Sequence, residues 1–139
     1  MLAELHIPWL VDGTLPQMNW HEPDTLATLA RGPDALSAAS QSGRWLVTAD
    51  GRLLNDATAG GAPVVVLRGG PCTAEGLARN LRYVEFCLAH AGHVTGPGQR
   101  FIVEMDRRMY RLLPEGRVEE LALWKTPSVQ GVLALAAPA

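Results

Sequence analysis

The chain has 139 residues, which fits one domain able to bury a core without disulfides or a metal. Its composition, 47 % hydrophobic and 19 % charged, is that of a globular protein and excludes a disordered one. A net charge of −2 supplies no general attraction for nucleic acid or for an anionic membrane.

The charge divides unevenly. Residues 1–67 carry three arginines against seven acidic groups, whereas residues 68–139 carry nine basic groups against seven acidic ones. Eleven arginines against one lysine, with frequent alanine, fit a GC-rich bacterial genome better than arginine-specific chemistry. Cys72 and Cys87 are the only cysteines, and with no secretory signal they read as reduced thiols. The opening residues lack a basic stretch and hold Glu4, His6 and Pro8, so no signal peptide is expected. The longest uncharged apolar run, Val132 to Ala137, is far short of the ~20 residues that span a bilayer. The expectation is a soluble cytoplasmic protein.

In chain order, residues 1–20 contain Pro8, Asp12-Gly13 and Pro16, and read as an extended arm. One short strand, Leu5 to Val11, is possible there, with Pro8 demoting it to an edge or irregular position. Trp9 and Trp20 need burial, either across the core or on a second subunit. Two short helices are predicted within residues 22–42. In the first, Pro23 suits the opening position, Leu26, Leu29 and Ala30 recur at helical spacing, and Gly32 suits the stop. Pro33 opens the second, which Gly43 closes.

Trp45–Ala49 reads as a strand, and Asp50-Gly51 as a hairpin turn into Arg52–Asn55. Pro63–Leu67 fits a central strand. A turn through Arg68-Gly69-Gly70-Pro71-Cys72-Thr73 leads into the longest helix, Ala74 to Ala91. Thr73 is its N-cap, and Leu77, Leu81, Val84 and Leu88 form one apolar stripe. Phe101–Met105 and Met109–Leu113 make a hairpin around Asp106-Arg107-Arg108. A turn at Pro114–Arg117 leads to a strand at Val118–Trp124, and Val129–Leu135 is a last strand or a short helix.

This order predicts an α+β fold: an antiparallel sheet of about five to six strands packed on one long central helix, with two short N-terminal helices. A single domain spans 1–139, with the arm at 1–20, the two helices at 22–42, and the sheet with its long helix, 74–91, at 44–135. The hairpin–helix–hairpin order resembles profilin-like and roadblock-like domains, which implies a binding or dimerisation platform. The Pro63–Leu67 strand departs from the roadblock pattern.

Two places carry candidate sites. The turn Arg68, Gly69, Gly70 and Thr73 joins a strand to a helix N-terminus, where free backbone N–H groups and a cation suit an anion. Against this, Pro71 removes one donor and no phosphate-loop or dinucleotide fingerprint is present. The plainer reading is a flexible connection. Residues Arg100, Arg107, Arg108, Tyr110 and Arg111 lie in a basic hairpin able to grip single-stranded nucleic acid through phosphate contacts and stacking. The plainer reading there is a guarded sheet edge. Cys72 beside a helix N-terminus invites a reactive thiol, but His90 and His93 lie at the far end of that helix, ~25 Å away at 1.5 Å per residue. These two histidines have no third ligand nearby for zinc.

The leading expectation is a non-catalytic binding or assembly module, acting as a homodimer or with a protein partner. One alternative is a nucleic-acid contact through the 100–117 hairpin. Another is an anion- or nucleotide-ligand-binding, or enzymatic, domain at 68–73. No catalytic residue, metal ligand or cofactor is assigned.

Overall fold

A computed structural model of the chain describes residues 6–16, 25–57, 61–69, 73–91 and 98–123. Its elements run β1 (Trp9–Val11), β2 (Leu26–Ala27), α1 (Pro33–Ser42), β3 (Trp45–Thr48) and α2 (Leu53–Asp56). They continue through β4 (Val64–Arg68), α3 (Ala74–Ala91), β5 (Arg100–Glu104), β6 (Arg108–Leu112) and β7 (Val118–Leu123). All seven strands join one sheet in the order β2-β1-β3-β4-β5-β6-β7. The fold is mixed α+β. Neighbours from β2 to β5 pair parallel, and only β5-β6-β7 pair antiparallel.

This corrects the expected sheet of five to six antiparallel strands, and the reason lies in the side chains. Trp9–Val11, Trp45–Thr48 and Val64–Leu67 are buried residue after residue, so these strands are covered on both faces. Parallel strands flanked by crossovers read as such continuous apolar runs, whereas a half-exposed antiparallel strand alternates. The hairpin–helix–hairpin order behind the profilin-like and roadblock-like resemblance is therefore absent from the described residues.

Three local expectations change with it. β1 is an interior strand between β2 and β3, not an edge. Pro8 stands just ahead of it, where its carbonyl accepts from Trp45 N–H at 2.8 Å and no N–H is needed. The helix expected to open at Pro23 is replaced over its described part by β2 and coil, and its would-be apolar face is broken up: Ala30 packs on the core while Leu29 is 87 % exposed. Asp50-Gly51 does not turn a hairpin, since Gly51 lacks the positive φ of a type I′ turn. Instead it opens α2, which buries Leu53 and Leu54 and returns the chain for a parallel β4. Val129–Leu135 lies outside the described residues.

Other expectations stand as read. α1 starts at Pro33 and ends at Gly43, whose left-handed conformation closes it. α3 covers Ala74–Ala91, with Thr73 Oγ1 accepting from Gly76 N–H at 3.0 Å. Leu77, Leu81, Val84 and Leu88 are all buried.

The sheet separates two cores. On one side α3 lays Leu77, Leu81, Tyr83, Val84 and Leu88 over Trp9, Val47, Val65, Phe101 and Met109. A row of aromatic rings crosses this side, with Trp9 edge-on to Trp45 at 5.9 Å and Trp45 stacked on Phe101 at 5.8 Å. On the other side Ala35 and Ala39 of α1, with Leu53 and Leu54 of α2, sit over Leu10, Leu46, Val64 and Ile102. The small alanines let α1 approach the strands closely. No helix among the described residues is long and apolar enough to cross a membrane.

Burial sorts the leucines by cost. Leu81→Ala is expected to lose about 2–5 kcal/mol of unfolding free energy in urea, because it empties a closed core position. Leu29→Ala is expected to stay within about 0.5 kcal/mol of the parent, and a large loss there would mean the segment packs differently.

Candidate functional site at the carboxyl edge of the sheet

The way the chain leaves its parallel strands decides where a cleft can open. From β3 it crosses to β4 by way of α2, and from β4 it crosses to β5 by way of α3. Both crossings step the same way along the sheet, yet α2 and α3 lie on opposite faces. Two such connections have opposite hands, so one of them takes the left-handed path, which only about 2 % of parallel connections do. The geometric result is that the chain leaves β3 and β4 toward opposite faces of the sheet. Ligands of open α/β sheets bind outside the carboxyl ends of strands whose connections part in this way.

Buried polar groups stand at this edge. Asp12, just after β1, and Thr48, the last residue of β3, are both fully buried. The Thr48 hydroxyl donates to Asp12 Oδ2 at 2.7 Å, and Thr14 N–H donates to Asp12 Oδ1 at 2.8 Å. Thr48 Oγ1 in turn accepts from Asp50 N–H at 3.1 Å. Asp12 N–H donates to Val47 O at 3.0 Å, so backbone and side chain together tie the ends of β1 and β3. A carboxylate out of water costs several kcal/mol unless it is well hydrogen-bonded, and both donors to its oxygens here are neutral. Asp50 faces outward, and the hydrogen-bonded guanidinium of Arg52 holds its carboxyl below the usual carboxylate range.

Cations and helix ends complete the edge. Arg68 ends β4 and is exposed, and among the described residues its guanidinium has no carboxylate partner. Arg31, exposed ahead of α1, is in the same position. Both α1 and α3 start at this edge and turn their positive ends toward it. Gly69 succeeds Arg68 with φ of 118°, and a Cβ there would sit 3.3 Å from Met105 Cβ, so the turn demands glycine twice over. The Arg68 carbonyl accepts from Met105 N–H at 2.8 Å, which pins the turn to the β5–β6 connection.

Of the expected anion-site residues, the structure thus places Arg68, Gly69 and Thr73 at one edge, with Thr73 engaged as the α3 cap. Gly70 and Cys72 lie outside the described residues, as does His93. His90 is in the last turn of α3.

The five residues of the basic hairpin do not share one surface. Strand alternation puts Arg100, Arg108 and Tyr110 on the α1 side and turns Arg111 to the α3 side, where it meets Glu119 at 2.7 Å. Arg100 donates to the carbonyls of Leu54 and Leu113. Arg107 is 4.0 Å from Glu104, and Arg108 is 3.9 Å from Glu120. Acidic neighbours therefore offset most of this charge.

Asp12 and Thr48 are absent from the candidates drawn from the sequence, although a signal for them exists. Trp-Leu-Val occurs twice, at 9–11 and 45–47, and the two copies pair in register, Trp9 with Trp45, Leu10 with Leu46 and Val11 with Val47. The next residues, Asp12 and Thr48, are then neighbours by construction.

Cys87, the cysteine within the described residues, is buried in the α3 core. Burial pushes its thiol up to about 11, against a smaller downward pull from the Tyr83 hydroxyl. The same burial raises the Tyr83 phenol further still.

No protein-family model, no curated protein and no solved structure matches this chain.

These contacts lead to two expected outcomes. Asp12→Ala and Thr48→Val should each destabilise by about 1–3 kcal/mol, and the double variant should cost less than their sum. Additive losses in urea unfolding would show that the two side chains do not act as a pair. Cys87 should resist alkylation at pH 8 in the folded protein and react rapidly in urea. Because its folded pKa is the raised one, the associated stability is present below pH 9 and is lost as pH climbs toward 11. Rapid native labelling at pH 8 would contradict the buried placement.

Proposed function

We propose that the chain is a binding domain that takes a small anionic ligand at the carboxyl edge of β1, β3 and β4. The observation that carries this reading is the departure of the chain to opposite faces after β3 and β4. Arg68 and Arg31 supply charge along that edge, and the N-terminal ends of α1 and α3 add backbone donors. Asp12 and Thr48 hold the strand ends in place beneath it. The role assigned is recognition, not chemistry, because no nucleophile with a base and no paired carboxylates come together among the described residues.

The other readings draw less support. Nucleic-acid binding by the 100–117 hairpin needs free cations, and Arg107, Arg108, Arg111 and Arg117 each sit against a glutamate. A homodimer that sealed a sheet face would need that face bare, and over β1, β3 and β4 it carries α1 and α2 from the same chain.

Inorganic phosphate, pyrophosphate and adenosine diphosphate serve as probes in thermal unfolding and calorimetric titration. At least one should raise the midpoint by several degrees at millimolar concentration, since ligand at 100 times Kd adds about 2.7 kcal/mol. Arg68→Glu should abolish that gain while leaving the unliganded midpoint unchanged, because the side chain is exposed. Should none of the three bind, or should Arg68→Glu bind as well as the parent, the anion site at this edge is wrong.

A further inference from the structure

We draw no further inference here: the strongest candidate, the half-exposed apolar strip of Tyr110, Leu112 and Val118 on the α1 side of β6 and β7, carries nothing because nothing in the structure shows what covers it.

Discussion

Trp9–Val11, Trp45–Thr48 and Val64–Leu67 point apolar side chains to both sides of the sheet, and this two-sided burial governs the rest of the molecule. Each Val or Leu kept from water contributes about 1.5–3 kcal/mol, so exposing one whole face of three strands would exceed the net stability of an ordinary domain. One helix cannot satisfy such strands. α3 covers one face, and α1 with α2 covers the other. Toward β6 and β7 the demand relaxes, since these strands carry Arg108, Arg111, Glu119 and Glu120 and pair antiparallel.

Covering both faces from a single run of parallel strands has a topological cost. With the strands added in one direction, crossovers of uniform hand would put every helix on the same side. Ordinary doubly wound sheets reach both faces by reversing the direction in which strands are added. Here the direction reverses once, since β2 and β3 lie on opposite sides of β1; from β3 to β5 it then holds, and the hand of the connection changes instead. Both routes split the loops after two adjacent strands, and for that reason the candidate site falls beyond β3 and β4. Its location is thus a consequence of how the core is sealed, independent of any particular side chain.

Much of this was legible in the sequence, and the failures share one cause. α3 was readable to the residue because its stripe, Thr73 cap and length are local. The β5–β6 hairpin was readable to within one residue at each end, its partners being adjacent in sequence. β4 was recognisable as central from its run of valines. Strand direction was not legible, because whether Trp45–Thr48 pairs with the segment after it or with β1 depends on a contact 36 residues away. Asp50-Gly51 is a good hairpin turn by local chemistry, and the burial of Leu53 and Leu54 under α1 overrides that preference. Leu26, Leu29 and Ala30 have helical spacing, yet Leu26 and Ala27 pair with β1 and leave Leu29 in water. The Arg68–Thr73 turn was visible as a strand-to-helix junction. Its neighbours Asp12 and Thr48 were not, since only the sheet order makes them adjacent.

The start of α3 can serve a ligand only if it is held still, and a second set of contacts holds it. Asp106, in the β5–β6 turn, has φ of 58°, a left-handed conformation that costs a non-glycine residue roughly 1–2 kcal/mol, less for Asp than for most. Arg79 of α3 grips its carboxylate through two hydrogen bonds, at 2.9 and 2.8 Å. Asn80, fully buried, accepts from Asp106 N–H at 3.0 Å and donates to the Gly76 carbonyl at 2.8 Å. An exposed ion pair alone contributes under ~1 kcal/mol, so the buried amide is the stronger half of this latch. It fastens the first turns of α3 to the connection that also receives the Arg68 carbonyl through Met105. Hydrogen bonds therefore tie the end of β4, the β5–β6 turn and the first turns of α3 to one another. A recognition site built there gains its rigidity from Asn80 and Asp106, two residues that need never touch what is bound.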